Sequence, residues 1–415
     1  MLAKYKDFKK IYFYATLVFA FILPLSHAGI SFFSILLPLI WIIEGGFKEK
    51  FKIIFSSKVF ISLLLFLSYS ILSILWSSDT KTALNILRLY GYFLSMFVIA
   101  TSLEKKYITK VISAFLAGMF ISEMISYGVF FELWHFKNAT VYNPTPFMMH
   151  IDYSVFLAFS SILLLDRVLS ENFSIKEKLL YFFFFLTVTG NLFLSIGRTG
   201  QVAYIVAIFV LMILKYKVTL KSFVYAFLTF SVVFFSAYNL SHTFQTRVHM
   251  AKHDIKLLSK GDLNSSWGIR VAYWIVSYEV LKKHPFGVGL GDYKSGIKKE
   301  LNSNKYDFLN KDTKDFMKNS HPHNQYLLVL LQTGVIGIVL FLCFIYQTFK
   351  IKISDKSLKN LSILFFTVFY ISCFAEPLFI KQFTLNLYVL FVGLFLAASF
   401  KGSYQQIQKN KEELS

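Results

Sequence analysis

Long apolar runs separated by short polar connections occupy most of the chain. A helix of roughly 20 apolar residues spans a hydrocarbon core about 30 Å thick. Twelve runs reach or approach that length, and they predict spans at 8–28, 30–43, 59–77, 83–103, 109–130, 150–167, 178–196, 200–215, 222–240, 324–347, 358–376 and 383–400. We therefore predict an all-α polytopic membrane protein, a single integral membrane domain over 1–415. Nine spans lie within 1–240 and three within 324–400, with one large polar loop at 241–323 between the ninth and tenth.

The distribution of Lys and Arg predicts the orientation, because these residues gather in short connections on the cytoplasmic side. With a cytoplasmic N-terminus, 24 of the 43 Lys and Arg residues fall in inner segments. The short outer connections then hold only Lys81, Lys137, Arg198 and Lys381. This asymmetry predicts that both termini, including a tail at 401–415, are cytoplasmic and that the loop 241–323 lies outside.

Composition agrees with the membrane class and excludes others. Charged residues make up only 16% of the chain and hydrophobic residues 56%, whereas a soluble domain is about 25% charged. The formal net charge of +20 indicates cytoplasmic anchoring before it indicates an anionic ligand, and we predict no nucleic-acid partner. Cys343 and Cys373 lie in apolar runs without the spacing of a metal site or disulfide framework. Residues 1–28 resemble a signal peptide, but their apolar run is long for one, so we take them as the first span.

The outer loop contains a predicted helix and a glycine-rich turn. Residues 268–283 have helical periodicity and predict an amphipathic helix of about four turns, which includes Arg270 and Trp274. The glycines of 287–291 follow with G-x-G-x-G spacing, which is not the dinucleotide-binding pattern and follows no predicted strand. We expect a tight turn that requires positive φ there.

His323 is the leading candidate for acid–base chemistry. It stands where the tenth span begins, at the outer interface, in the run Ser320-His-Pro-His-Asn-Gln-Tyr326. Imidazole takes a proton near neutral pH, and the positive end of a helix favours its neutral form, which suits a general base. A metal site at His321 and His323 lacks a supporting carboxylate motif, so we predict no metal and no cofactor.

Arg198 lies in the short outer turn Ser195-Ile-Gly-Arg-Thr-Gly200 between two very apolar spans. Two interpretations remain open. Arg198 either anchors the turn at the membrane interface or binds a diphosphate, because a planar guanidinium makes paired hydrogen bonds to phosphate oxygens.

Ionisable residues in or beside the spans are further candidates. Arg88 and Glu123 lie at similar depth, roughly 7–11 Å below the outer face at 1.5 Å per residue, and we predict that they form an ion pair. Asp152 and Glu376 stand at outer ends of spans, where they line an outer cavity or remain solvated at the interface.

Together these residues resemble the O-antigen ligase family, within the superfamily of O-antigen ligases, polymerases and related bacterial oligosaccharyltransferases. The ligase pattern is His, then Asn, Ser or Gln, nine residues, Gly, two residues, and Gly, Thr or Tyr. It is present here without departure as His323-Asn324, nine residues, Gly334, two residues and Gly337. Family-like patterns also occur at Arg270-x-x-x-Trp274, at His284-Pro285-x-Gly287-x-Gly289-x-Gly291 and at Gly197-Arg198-Thr199-Gly200.

The resemblance implies a membrane glycosyltransferase of the C-type fold in the inner membrane of a Gram-negative bacterium. Such enzymes move a glycan from undecaprenyl diphosphate to lipid A-core at the periplasmic face, without nucleotide sugar or metal. Carried onto this sequence, His323 corresponds to the catalytic histidine and Arg198 and Arg270 to the diphosphate-binding arginines. Candidate supporting residues are His321, Asn324, Trp274, Asp152, Glu376 and Arg88.

Three other functions are weighed against the ligase. A polymerase joins lipid-linked repeat units and often has two sizeable outer loops, whereas here only one is large and the connection at 131–149 is short. A lipid-glycan transporter would tolerate the loss of His323 and would carry deeper charges. A protein-directed oligosaccharyltransferase would yield a glycoprotein.

Overall fold

Every predicted span is helical. The computed structural model describes residues 2–400, with side chains from Asp7 onwards, so the predicted tail at 401–415 lies outside the described residues. The helices that correspond to predicted spans are α1 (Leu2–Ile22), α2 (His27–Glu44), α4 (Lys58–Leu72), α5 (Thr80–Tyr90), α6 (Phe93–Ser102), α7 (Ile108–Phe130), α8 (His150–Val168), α9 (Ile175–Leu194), α10 (Arg198–Tyr216), α11 (Leu220–Leu240), α16 (Gln325–Phe349), α17 (Lys356–Ser372) and α18 (Gln382–Ser399). The remaining helices are α3 (Phe47–Ser56), α12 (His242–Ser259), α13 (Ser266–Lys283), α14 (Tyr293–Leu301) and α15 (Lys311–Asn319). The chain is an all-α polytopic membrane protein, and no strand occurs between residues 2 and 400.

Nine helical segments of the described chain are long and apolar enough to cross a membrane. The three other predicted spans correspond to α1, α8 and α17. Helix α8 contains the charged residues Asp152, Asp166 and Arg167, and α17 has only 17 residues. Length and composition therefore identify these two helices less clearly as membrane spans.

Three predicted boundaries are wrong, each for a local reason. Helix α1 ends at Ile22 instead of residue 28, because Pro24 disfavours helical backbone in the residue before it and has no N–H to donate. The predicted span 83–103 is divided into α5 and α6 by a turn at Gly91–Tyr92, where glycine weakens the helix. Helix α17 ends at Ser372 instead of 376, just before Pro377.

The connections predicted to face outwards meet at one end of the bundle, here called the loop end. His27 Nδ1 lies 2.9 Å from Gln382 Oε1, and Lys381 Nζ lies 3.2 Å from Asp152 Oδ1. The buried Asp292 carboxylate accepts a 2.8 Å hydrogen bond from Ser77 Oγ, which ties the large loop to the start of α5. These contacts agree with the alternation of helix directions predicted from the sequence.

The large loop forms a helical cap with its own apolar core. Buried residues of α13, α14 and α15 pack against the first half of α16. The cluster includes Ala272, Tyr273, Val276, Ile297 and Met317 from the loop helices and Leu328 and Leu331 from α16. The predicted helix at 268–283 is α13, but its outward face is not polar, since Trp267, Trp274 and Tyr278 are exposed on it. Tryptophan and tyrosine favour a membrane–water interface.

Helix α16 is kinked at Gly334, which has φ 62°. The glycine-rich segment after α13 hydrogen-bonds to the backbone freed by the kink. Val288 N donates to Leu331 O at 2.9 Å, and Val335 N donates to Pro285 O at 3.0 Å. A Cβ on Gly334 would lie 2.2 Å from Pro285 O, so the approach of the two segments requires glycine. The expectation of positive φ in the glycine run is confirmed at Gly287 and Gly289. The segment that connects α13 to α14 thus lies along α16 at its kink.

Candidate active site

The start of α16 is fastened to the connection between α17 and α18. Asn324 caps α16 by accepting a hydrogen bond from Leu327 N at 2.9 Å, and its Nδ2 donates to Phe374 O at 3.1 Å. Gln325 N donates to Cys373 O at 2.8 Å. These bonds hold the residue just before the cap, His323, against the segment that contains Glu376.

His323 and Glu376 form a hydrogen-bonded pair. His323 Nδ1 lies 2.9 Å from Glu376 Oε2, and the backbone of His323 has φ 46°, in the left-handed region. An ionised carboxylate only accepts hydrogen bonds, so Nδ1 is the donor, and in a neutral imidazole Nε2 would then carry the lone pair. The Phe316 ring lies parallel to the imidazole, with centroids 5.8 Å apart. The His323 side chain is 24% exposed, so the ring is accessible as well as oriented.

Glu376 is the most densely contacted charge of the site. Its side chain is 2% exposed, its Oε1 lies 2.9 Å from Lys381 Nζ, and the same oxygen lies 3.3 Å from His321 Nε2. Burial acts to raise the pKa of the Glu376 carboxyl, but the hydrogen bond from His323 and the charge of Lys381 outweigh burial and lower the pKa to about 2. Glu376 is therefore a carboxylate throughout the physiological range.

Lys381 extends this cluster to α8. Its Nζ lies 3.2 Å from Asp152 Oδ1, and the Asp152 side chain is only 7% exposed. Burial acts to lower the pKa of Lys381, but the carboxylates of Asp152 and Glu376 outweigh burial and raise it. A buried line of paired charges thus runs from Asp152 through Lys381 to Glu376, which contacts His323.

The residues of the cluster also have the spacing of a metal site, since ligand atoms of His321, His323 and Glu376 lie within 4.8 Å of one another. The Lys381 ammonium already contacts a carboxylate oxygen of this set, and its positive charge disfavours a divalent cation beside it. Burial lowers the pKa of His321 to about 4, so this imidazole is neutral at physiological pH. We interpret the cluster as an acid–base network.

Arg198 and Arg270, both predicted from the sequence, contact the same residue at the start of α13. Arg198 Nη2 donates to Ser266 Oγ at 3.1 Å, and Arg270 Nη1 donates to Ser266 O at 3.1 Å. Arg198 Nη1 and Arg270 Nε are buried and have no hydrogen-bond partner. Neither arginine forms an ion pair with a carboxylate among the described side chains, so both keep donors free for an anion.

The local backbone explains why Arg198 is held in place. Gly200 N donates to Ser154 Oγ at 3.1 Å, and a Cβ on Gly200 would lie 2.0 Å from Ser154 O. The glycines of the turn therefore let the start of α10 press against α8. This packing fixes the first turn of α10, from which Arg198 reaches Ser266.

Sequence reasoning missed two basic residues at this site. Arg247, on α12, lies close enough for its charge to act on Arg198, as does that of Arg270. Lys381 was predicted only as one positive residue of an outer connection. The pairing of Lys381 with Asp152 joins residues 229 positions apart, and no local pattern indicates it.

Three predicted residues do not join the cluster. The ion pair of Arg88 with Glu123 is wrong: Glu123 Oε1 accepts a 2.9 Å hydrogen bond from Thr187 Oγ1, and Arg88 is exposed. Trp274 lies one turn after Arg270 and is 48% exposed. Asn324 is at the site as the cap of α16.

Fold and site together define a multi-pass membrane protein with a histidine–carboxylate pair and two unpaired arginines at one end of its bundle. Residues 182–342 match the family model described as O-Antigen ligase, and this match supports the resemblance found in the sequence. The matched segment includes Arg198, Arg270 and His323, whereas Asp152, Glu376 and Lys381 lie beyond it. The match supports a membrane glycosyltransferase-like enzyme of the O-antigen ligase or polymerase type. None of the curated proteins compared with the chain matches it.

Proposed function

We propose that this protein is an O-antigen ligase that transfers a glycan from undecaprenyl diphosphate to a hydroxyl of lipid A-core. The reaction takes place at the periplasmic face of the inner membrane of a Gram-negative bacterium, with both termini in the cytoplasm. The observation that carries the proposal is the hydrogen bond of His323 Nδ1 to the buried Glu376 carboxylate, at the same end of the bundle as two arginines with free donors.

His323 acts as the general base. With its Nδ1 proton held by Glu376, the Nε2 lone pair removes the proton of the acceptor hydroxyl while that oxygen attacks the anomeric carbon. The nearby carboxylate stabilises the imidazolium that forms. Positioned proton transfer of this kind contributes typically ~10²–10⁴-fold to the rate.

Arg198 and Arg270 bind the diphosphate and stabilise it as the leaving group. Charge develops on the departing diphosphate as the glycosidic bond breaks, and preorganised guanidinium donors offset that charge. Their two buried, unpartnered nitrogens support this role, because buried donors are normally satisfied. Arg247 adds positive charge beside Arg198.

The separation of roles predicts an inverting reaction. The base approaches from the α16 side, whereas the arginines project from α10 and α13. Attack opposite to the departing diphosphate inverts the anomeric centre. No metal takes part in this scheme, since two guanidinium groups supply the charge that a cation would otherwise provide.

The proposal is tested with purified protein, a lipid-diphosphate-linked glycan and lipid A-core, in the presence of EDTA. Transfer of the glycan to the core, with inverted configuration and unaffected by EDTA, is the expected result. Elongation of the donor without any need for core would make the protein a polymerase. Loss of activity in EDTA that Mg²⁺ or Zn²⁺ restores would overturn the metal-independent scheme.

A further inference from the structure

A buried lysine stands between the two carboxylates of the site. Lys381 Nζ lies 2.9 Å from Glu376 Oε1 and 3.2 Å from Asp152 Oδ1, and the three side chains are 13%, 2% and 7% exposed. A buried charge is tolerated only when it is paired. Here one cation serves two carboxylates, so Lys381 is the residue on which the charge balance of the cluster depends.

The two oxygens of Glu376 have different partners. Lys381 contacts Oε1, while Oε2 accepts the hydrogen bond from His323 Nδ1 at 2.9 Å. His321 Nε2 lies 3.3 Å from Oε1 and competes for the same carboxylate. A fixed ammonium on Oε1 therefore sets the rotation of the carboxylate and keeps Oε2 directed at His323.

The backbone that carries Lys381 is itself held firmly. Between Glu376 and Lys381 the chain makes a single 3-10 turn, Leu378–Ile380, and Phe379 N donates to Gln325 Oε1 at 2.9 Å. Gln325 is the first residue of α16, so the start of this helix positions Lys381, Glu376 and His323 relative to one another. Asp152 holds the lysine from the opposite side, on α8.

We infer that Lys381, held by Asp152, is a positioning residue that fixes the Glu376 carboxylate for its hydrogen bond to His323. This inference rests on the proposed function, because it assigns Lys381 a role in the reaction of that base. Without Lys381, the negative charge of Glu376 would act on His323 without the compensating cation, and Oε1 would lose the contact that fixes the carboxylate. The first effect moves the acid limb, and the second lowers the rate by releasing Oε2 from its direction towards His323.

Several charged or titratable groups surround this chain of residues. They are His27 on α2, His150 on α8, Arg270 on α13, Lys294 on α14, and His321 and His323 before α16. Removal of a nearby positive charge favours the protonated form of a base. A base must be unprotonated to act, so the acid limb of the pH–rate profile moves to higher pH.

The test compares Lys381→Met, Lys381→Arg and the matched control Lys299→Met, which removes an exposed lysine of α14. In Lys381→Met the acid limb of kcat/KM is expected to move up by about 1–2 pH units. At a pH below the acid limb, each unit of that shift lowers kcat/KM by about tenfold. Lys381→Arg is expected to restore the wild-type limb at least in part, and Lys299→Met to leave it unchanged.

Thermal unfolding in detergent monitors whether Lys381→Met folds. If it does not, Asp152→Asn combined with Lys381→Met removes both buried partners and keeps the net charge. The limb is still expected to move up, because the lost cation contacts Glu376 directly.

An unchanged limb in a folded Lys381→Met protein, or a uniform loss of rate that Lys381→Arg does not relieve, would overturn the inference. Failure of the proposed function is seen separately, as full transfer by His323→Ala.

Discussion

Substitution of Glu376 by Gln removes the charge that stabilises the proposed base while it retains the size of the side chain. Glu376 Oε2 accepts a 2.9 Å hydrogen bond from His323 Nδ1, and the carboxylate is almost fully buried. An adjacent carboxylate raises an imidazole pKa by about 1–3 units, at 1.36 kcal/mol per unit. The imidazolium therefore loses about 1.4–4 kcal/mol of stabilisation. We expect kcat to fall by about 10–10³-fold, with little change in donor binding.

The assay is single-turnover transfer of a labelled glycan to lipid A-core across the pH range. In Glu376→Gln the acid limb is expected to move to lower pH, opposite to the shift expected for Lys381→Met, because a negative charge is removed. Glu376→Asp serves as the control that keeps the charge and shortens the reach. A Glu376→Gln rate within about twofold of wild type would refute the pairing of base and carboxylate.

Three further predictions concern other parts of the site. Arg198→Lys keeps the charge but loses the planar guanidinium that makes paired hydrogen bonds. Donor binding and turnover should both weaken, each by about 1.5–3 kcal/mol, in binding and steady-state assays. An unchanged Kd for the donor would indicate that Arg198 is an interfacial anchor instead. The pKa of His321 is lowered from 6.5 to about 4 in the folded protein. As the pH falls from 6.5 to 4, His321 is therefore protonated in the unfolded chain but not in the folded protein, and the free energy of unfolding should fall by about 3 kcal/mol. His321→Gln should flatten this part of a curve of Tm against pH. Gly334→Ala should destabilise the protein by about 1–3 kcal/mol, because φ is 62° and the Cβ meets Pro285 O; an unchanged Tm would contradict the role of the kink.

Periodicity and charge predicted the bundle well because a membrane constrains the chain strongly. A span must be apolar and helical along its whole length, so spans such as 109–130 and 222–240 could be located within a few residues. The predicted helix boundaries were wrong where a single proline or glycine interrupts an apolar run. Pro24, Gly91 and Pro377 each end or interrupt a helix inside an apolar stretch.

The site could be predicted only in part. His323, Arg198 and Arg270 stand in local motifs, and two of those motifs have clear physical roles in the structure. Gly200 lets α10 approach α8, and Gly334 allows the kink that receives the glycine-rich segment. The motif residues were found because their spacing reflects backbone geometry.

The partners of the motif residues could not be predicted, because they come from distant parts of the chain. Glu376 follows His323 by 53 positions, and Lys381 follows its partner Asp152 by 229 positions. The depth of Arg88 and Glu123 matched, but depth does not determine which way a helix face points. Glu123 bonds to Thr187 on α9 instead.

The central claim is that His323 acts in the chemical step and not in binding. The direct measurement is single-turnover transfer by His323→Ala with the donor saturating, alongside the Kd of the donor for the same protein. We predict an almost unchanged Kd and a transfer rate lower by about 10²–10⁴-fold. Transfer at the wild-type rate by His323→Ala would contradict the assignment of the base.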